Sequence, residues 1–159
     1  MSGALYAATL ATALGCGLVA GVFFAFSSFV MASLKRLPAA DGIVAMQSMI
    51  IVAVTPVFMG ALFGTAAACL GLMVWAVISW GEGSATLVLA GCVLYLVGTI
   101  GVTMARNVPL NDRLATLHPQ GADAADRWKE YVATWTAWNH LRSAAVLAAA
   151  AALTIALHV

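Results

Sequence analysis

Charged side chains are scarce in this chain of 159 residues: they make up 8% of it, whereas 64% is hydrophobic. An ordinary soluble domain carries about 25% charged residues, so a soluble globular fold is excluded. Disorder is excluded as well, because disordered chains are poor in apolar residues. The net charge of +1 argues against a nucleic-acid partner, since phosphate binding needs clustered lysine and arginine. The composition therefore predicts an integral membrane protein.

Long stretches without any charged residue predict where the chain crosses the membrane. These stretches are 1–34, 42–81, 83–105 and 143–159. A spanning helix needs about 20 apolar residues, so each of the first three holds a span, and the last must include the preceding turn. We therefore predict an all-α fold in which residues 1–159 form one membrane-embedded domain. Its four transmembrane helices are expected near 4–33, 53–79, 84–106 and 124–157.

The connections follow from the composition of the segments between the spans. The first span has no basic residue before it and is too long for a signal peptide, so we expect it to be retained. Residues 39–54 predict a short helix at the cytoplasmic interface between helices 1 and 2. Pro56 is expected to separate that helix from the second span.

Lysine and arginine all fall on one side of the predicted membrane. Two follow the first helix, and five lie between the third helix and the start of the fourth: Lys35, Arg36, Arg106, Arg113, Arg127, Lys129 and Arg142. The loop 79–84 carries only Glu82. The positive-inside rule makes the basic side cytoplasmic. We therefore predict a multi-pass protein of the inner membrane with both termini outside.

Cysteine and glycine indicate packing. Cys16, Cys69 and Cys92 each lie in a predicted span without a CxxC motif, which is typical of small buried residues. Two pairs of glycines have small-xxx-small spacing, which lets helices approach closely. The pairs are Gly17 with Gly21 and Gly60 with Gly64. They indicate either packing within the bundle or the face of a homo-oligomer.

The fourth predicted helix carries a stripe of aromatic and polar side chains. At about 100° per residue, six of them fall on one face about 100° wide. The six are Trp128, Tyr131, Trp135, Trp138, Asn139 and Arg142. An aromatic belt at the membrane interface does not need a single face, so the stripe favours the interior of the bundle. His140 falls off this face.

Arg142 bears most directly on function. Only 17 residues follow it, so its helix must begin earlier and the guanidinium lies at or within the edge of the hydrocarbon. A charge there is costly unless it is paired or hydrated. Two interpretations stay open: the side chain snorkels to the interface, or it belongs to a polar pocket within the membrane. Asp112 and Glu130 are the candidate counter-ions.

Two further segments lie on the same side. Residues 106–113 crowd two asparagines and two arginines where the third helix leaves the membrane, and Pro109 is expected to end that helix. They form either a solvated loop or part of a site. The aromatic run 23–29, which includes two serines, suits either a planar apolar ligand or ordinary helix packing.

The sequence predicts no metal and no cofactor. His118, His140 and His158 have no partner at ligand spacing, and there is no HExxH motif. Only His140 is placed to ligate a haem, and a histidine at the membrane interface is the simpler interpretation. Neither GxGxxG nor a P-loop occurs.

Five short strings follow one another along nearly the whole chain. They are Gly21-Val22-Phe23-Phe24-Ala25-Phe26-Ser27-Ser28-Phe29-Val30-Met31, Leu34-x-Arg36-Leu37-Pro38, Gly42…Met46-Gln47, Asn107-Val108-Pro109-Leu110-Asn111 and Trp135-x3-Asn139-x2-Arg142. In this order they resemble the DUF1772, or anthrone oxygenase-like, family. The resemblance implies a small four-helix membrane protein. Members often carry an asparagine a few residues after the Met-Gln pair, in the neighbourhood where this chain has Ile50. If that asparagine binds the substrate, the departure implies a different ligand.

The resemblance also implies an activity, the oxidation of an anthrone to an anthraquinone by O₂ without a metal or flavin. Such a reaction needs an apolar slot, donors for an oxyanion and a proton acceptor. The candidate catalytic donors are Asn107, Trp135, Asn139 and Arg142, and the candidate substrate contacts are Phe23, Ser27, Asn111, Trp128 and Tyr131. The base is left open, because His140 lies off the stripe and Asp112 is expected to sit too far out.

Two functions therefore stand side by side. The first is a cofactor-independent oxygenase for a planar phenolic or anthrone-like substrate. The second is a non-catalytic membrane module that binds a lipid, a quinone or a partner helix in the same pocket. Transport is disfavoured, because four short helices leave little room for alternating access.

Overall fold

A computed structural model describes residues 2–81 and 83–159, which form five helices and no strand. The helices are α1 (Gly3–Leu34), α2 (Ala39–Ala53), α3 (Pro56–Ile78), α4 (Ala85–Ala115) and α5 (Ala124–Ala156). The predicted all-α fold is confirmed. Glu82, the acidic residue of the loop 79–84, lies outside the described residues.

Helices α1, α3, α4 and α5 are each long and apolar enough to cross a membrane. The chain is therefore a multi-pass membrane protein built on four spans. Helix α5 is the least apolar of the four and the most buried, because it packs against α1, α2 and α4. It is the central helix of the bundle and carries the aromatic and polar stripe.

Helix α4 continues well beyond the predicted end of the third span at residue 106. The prediction that Pro109 ends the helix is wrong, since the segment Val108–Ala115 is α-helical. A π-helical turn, Thr103–Asn107, comes directly before it. The wider turn makes room for the pyrrolidine ring, and Pro109 occupies the first turn of the following segment, where its missing N–H is tolerated.

Helix α2 is the short helix expected between the first two spans. It ends at Ala53, and α3 begins at Pro56. Thr55 caps the start of α3, because its side chain accepts a hydrogen bond from the N–H of Phe58 at 3.3 Å. Gln47 fixes α2 to the end of α4, because its Nε2 donates to the carbonyl of Leu114 at 2.9 Å. The short helix thereby becomes a wall of the bundle.

Two apolar cores hold the helices together. The first lies among α1, α3, α4 and α5 and contains Cys16, Cys69 and Cys92, which are buried free thiols as predicted for packing residues. The second joins α2 and the ends of α1 and α4 to the first half of α5. Trp128 and Trp135 belong to this second core.

The glycines with small-xxx-small spacing do not pack within the bundle. Each is exposed and faces open space: Gly17, Gly21, Gly60 and Gly64. Their interpretation as bundle contacts is therefore wrong, and the homo-oligomer face stays a prediction. The close helix contact lies elsewhere, since a Cβ atom on Gly98 would lie 2.5 Å from the Cβ of Ala145. Bundle packing here depends on glycines that face a neighbouring helix rather than on glycines spaced by four.

Candidate functional site

All five helices contribute side chains to one cavity of about 310 Å³. This volume lies at the lower end of the range for small-molecule sites, about 300–1,000 Å³. Most of the lining is apolar. The polar lining residues are Thr103, Asn111, Asp112 and Arg142, together with the indole of Trp135. An apolar space with a few convergent polar groups is typical of a ligand site.

The wall from α2 and α3 is built of flexible apolar side chains. Four of the seven methionines line the cavity: Met46 and Met49 on α2 and Met59 on α3 belong to this wall, and Met104 lies on α4. Thioether side chains adapt to ligands of different outline. Ile50, the residue at which the chain departs from the resembled family, is also part of this wall.

Arg142 brings a cation into this apolar space. The residue is 5% exposed, and its Nη1 donates to the Oγ1 of Thr103 at 3.1 Å. The guanidinium lies 4.2 Å from the centroid of the Phe23 ring and 5.3 Å from that of Trp135. These cation–π contacts offset part of the cost of burying the charge.

No carboxylate lies within 4.0 Å of the Arg142 nitrogens among the described residues. The prediction that Asp112 or Glu130 serves as its counter-ion is therefore wrong. Asp112 lines the same cavity without pairing, and Glu130 lines a separate surface pocket of about 210 Å³. In addition, the Nε of Arg142 is buried and has no partner. A buried, unpaired cation strongly favours an anionic group beside it.

Asn139 holds Arg142 from behind instead of lining the cavity. Its Oδ1 accepts from Nη2 of Arg142 at 2.6 Å, and its Nδ2 donates to the Phe23 carbonyl at 2.8 Å and to Ser27 Oγ at 2.7 Å. The Phe23 carbonyl comes just before the π-helical turn Phe26–Val30, where the regular backbone ladder is interrupted. Asn139 and Ser27 thus join α5 to α1 and orient the cation.

Asn111 presents a second donor to the cavity. Its Oδ1 accepts two hydrogen bonds, from Tyr131 Oη and from Trp135 Nε1, both at 2.9 Å. Both donors require an oxygen at that position, which fixes the orientation of the amide. The NH₂ group of Asn111 is left to donate elsewhere. The indole N–H of Trp135 is used by this bond, so its ring acts as cavity wall and not as an oxyanion donor.

The remaining predicted site residues lie outside the cavity lining. Asn107 donates to the Trp135 carbonyl at 3.3 Å, and its Oδ1 is buried without a partner. Trp128 stacks on Tyr131, with ring centroids 5.7 Å apart, and packs against Gly42. These residues support Trp135 and Asn111.

The predicted stripe on α5 is observed as a buried face. Trp128, Tyr131, Trp135, Asn139 and Arg142 are all buried, and His140 is exposed. Trp138, at the edge of the stripe, is half-buried. The guanidinium of Arg106 lies over its ring, with Cζ 4.7 Å from the ring centroid.

The sequence predicts Asp112 as a counter-ion of Arg142 that sits too far out to be the base, and it does not single out Thr103. Both line the cavity. A signal was present: Val108, Asn111 and Asp112 have the spacing i, i+3, i+4 of one helical face. That spacing carried no weight while Pro109 was expected to end the helix.

Within the described part of the chain, no group of three or more histidine, cysteine, aspartate or glutamate residues could hold a metal ion. The polar side chains of the cavity are one carboxylate and several groups that can donate hydrogen bonds to an anionic oxygen. They are suited to an organic ligand.

The sequence model of the anthrone oxygenase family matches residues 56–152. The chain belongs to the anthrone oxygenase family. The match includes every polar residue of the cavity lining and leaves α1 and α2 outside it. A search of curated proteins and a search of solved structures give no match.

Proposed function

We propose that this member of the anthrone oxygenase family is a membrane oxygenase that oxidises a planar phenolic, anthrone-like substrate with O₂. The observation that carries the proposal is the unpaired cation Arg142 in an otherwise apolar cavity. An anthrone is itself planar and apolar, and it becomes an anion when its methylene group loses a proton. The cavity offers apolar walls for the rings and a cation for the charge.

The overall reaction consumes one anthrone and one O₂ and yields one anthraquinone and one water. Loss of a methylene proton gives an electron-rich anion whose charge lies largely on the carbonyl oxygen. This anion reacts with O₂ at the former methylene carbon to give a hydroperoxide. Loss of the second proton from that carbon, with cleavage of the O–O bond, forms the new carbonyl and releases hydroxide, which is protonated to water.

The chain's part in this chemistry is to stabilise the anion. Arg142 and the amide of Asn111 are preorganised donors at the cavity, and donors that meet developing charge away from bulk water give large rate effects. Asn139 acts through Arg142, because it fixes the guanidinium without lining the cavity. Trp135 and Phe23 supply apolar ring faces.

We infer that the substrate reaches the cavity from the bilayer. Two apolar lining residues on different spanning helices are exposed, Phe63 on α3 at 49% and Met104 on α4 at 56%. Val54, in the connection between α2 and α3, also lines the cavity and is 68% exposed. Exposed apolar side chains on membrane-spanning helices face lipid. A sparingly soluble aromatic ketone dissolves in the bilayer, so a lateral opening gives it direct access.

The proposed location is the inner membrane, with both termini outside and the basic loops in the cytoplasm. A reporter fused after Val159 tests this orientation. A periplasmic signal is expected, and a cytoplasmic signal contradicts it.

The alternative, a non-catalytic module that binds a lipid or quinone, uses the same cavity. An acidic amphiphile also fits apolar walls with one cation. Consumption of O₂ separates the two functions, because a binding module consumes none.

The test is O₂ consumption and quinone formation by the purified protein with a small panel of anthrones. Arg142→Met removes the charge at similar length, and Arg36→Met removes an exposed arginine that lies outside the cavity. Turnover above the rate without protein is expected for the wild type and Arg36→Met, and a loss of about 100-fold or more for Arg142→Met. Equal rates with and without protein for the whole panel contradict the oxygenase.

A further inference from the structure

We propose that Asp112 is the general base that removes the methylene proton of the substrate. The inference rests on the proposed oxygenase function and supplies the group that the sequence left open. Asp112 lies on the cavity-facing side of α4, one residue after Asn111 and one helical turn after Val108, and all three line the cavity. The base and a donor are thus presented by the same turn of helix.

Asp112 is the one carboxylate among the described residues that line the cavity. The other candidate from the sequence, His140, is exposed and does not line it. The hydroxyl of Tyr131 is engaged with Asn111. No other side chain of the lining accepts a proton as readily as a carboxylate.

The carboxylate is also unengaged. The ion pair in the described part of the chain joins Arg127 to Asp123, and no side-chain hydrogen bond there involves Asp112. Arg142, the cation of the cavity lining, forms no ion pair with Asp112. The carboxylate oxygens are therefore available to a ligand in the cavity.

In the described part of the chain, Arg142 and Asp112 are the two charged groups of the cavity lining, and an anthrone needs one group at each end of its central ring. Its carbonyl and methylene groups lie on opposite sides of the central ring, so a donor and a base must be separated across the cavity. Arg142 is buried, whereas Asp112 is exposed at the rim. A substrate with its carbonyl oxygen at the buried Arg142 would extend toward the exposed part of the lining, to which Asp112 belongs.

The Asp112 carboxylate alone accounts for all the proton transfers of the reaction. The carboxylate takes the first methylene proton, and the C–H electron pair passes into the ring system and the carbonyl oxygen. After the carbon has bonded to O₂, protonated Asp112 returns that proton to the peroxide. The carboxylate then takes the second C–H proton as the O–O bond breaks and gives it to the departing hydroxide, which leaves as water.

The test measures the first step without O₂. Purified protein and an anthrone are mixed anaerobically in D₂O, and deuterium entering the methylene group is followed by NMR or mass spectrometry. The variants are Asp112→Asn, Asp112→Glu and, as a matched control, Asp126→Asn, which removes an exposed carboxylate on α5 outside the cavity. Binding of the anthraquinone product, followed by quenching of tryptophan fluorescence, reports whether each variant keeps its cavity.

We expect Asp112→Asn to lower the protein-dependent exchange about 100-fold or more while product binding is retained. Asp112→Glu should keep part of the exchange, and Asp126→Asn should match the wild type. If Asp112→Asn fails to fold, Asp112→Ala with added acetate takes its place, and restored exchange supports the base. Wild-type exchange in Asp112→Asn overturns the base and leaves the oxygenase standing. Absence of both exchange and O₂ turnover in the wild type overturns the oxygenase itself.

Discussion

Arg142 donates from Nη2 to the Oδ1 of Asn139 at 2.6 Å, so a neutral amide rather than a carboxylate holds the buried guanidinium. The two residues are three apart on α5 and share its buried face. A carboxylate at that position would neutralise the cation. The amide fixes its geometry and leaves its charge available to a ligand.

Asn139→Ala tests whether the Asn139 amide holds the Arg142 guanidinium in place. The substitution removes the contact to Arg142 and the bonds to the Phe23 carbonyl and Ser27, and it leaves buried groups unsatisfied. We expect a loss of about 1–3 kcal/mol in unfolding free energy and a lower kcat, read from thermal unfolding in detergent and from initial rates. Ser27→Ala removes one acceptor of Asn139 and the 3.2 Å contact of Ser27 Oγ with Ser143 Oγ. It leaves the bond between Asn139 and Arg142 in place and should cost less in both. Equal effects of the two substitutions contradict the special position of Asn139.

Asn111→Asp tests the second donor. The aspartate keeps an oxygen for Tyr131 and Trp135 but replaces the NH₂ group by a negative charge at the cavity. Because that charge repels the anionic intermediate, turnover should fall about 100-fold or more, with the fold retained. Tyr131→Phe is the control, since it removes one hydrogen bond worth about 1 kcal/mol and leaves the amide in place. Unchanged turnover in Asn111→Asp excludes a role for this amide.

Gly42→Ala tests the attachment of α2 to α5. A Cβ atom at Gly42 would lie 2.8 Å from Cζ2 of Trp128, so the helix or the ring must move. We expect a loss of about 1–3 kcal/mol in stability and weaker ligand binding, because α2 forms a cavity wall. Gly17→Ala places a methyl group in open space on α1 and should be neutral or slightly stabilising. Thermal unfolding of both variants measures the difference in stability.

Ile50→Asn tests the apolar wall, with its neighbour as control. Ile50 lines the cavity, whereas Ile51 is 75% exposed and does not. An amide at position 50 without a partner for its donors should weaken binding of an unsubstituted anthraquinone by about 1–3 kcal/mol. Ile51→Asn should leave the Kd unchanged. The Kd is measured by quenching of tryptophan fluorescence, and equal Kd values for the two variants contradict the assignment of this wall.

The spans and the stripe on α5 could be predicted from the sequence, because both depend on local patterns. Charge-free stretches mark the spans, and the 3.6-residue period gathers Trp135, Asn139 and Arg142 on one face. The few residues after Arg142 place it at or within the edge of the hydrocarbon, but they do not decide between burial and snorkelling. These signals need no knowledge of which helices are neighbours.

The residues of the other helices that surround the stripe on α5 could not be predicted in the same way. Apolar residues such as Met46 and Met59 carry no sign that they face a cavity. Cys16, Cys69 and Cys92 share one core although they lie on three helices far apart in sequence. The expectation that Asp112 sits too far out belongs with a helix that ends at Pro109, because proline is usually a helix stop. The π-helical turn that accommodates it has no clear sequence pattern.

The most direct test of the oxygenase is a reaction under ¹⁸O₂ with the purified wild-type protein in lipid nanodiscs. Because the hydroperoxide keeps one oxygen atom on carbon and loses the other as water, the account predicts one labelled oxygen in each quinone formed, at a rate above that of protein-free nanodiscs. Quinone that forms no faster with protein than without it, or that carries no label, contradicts the account.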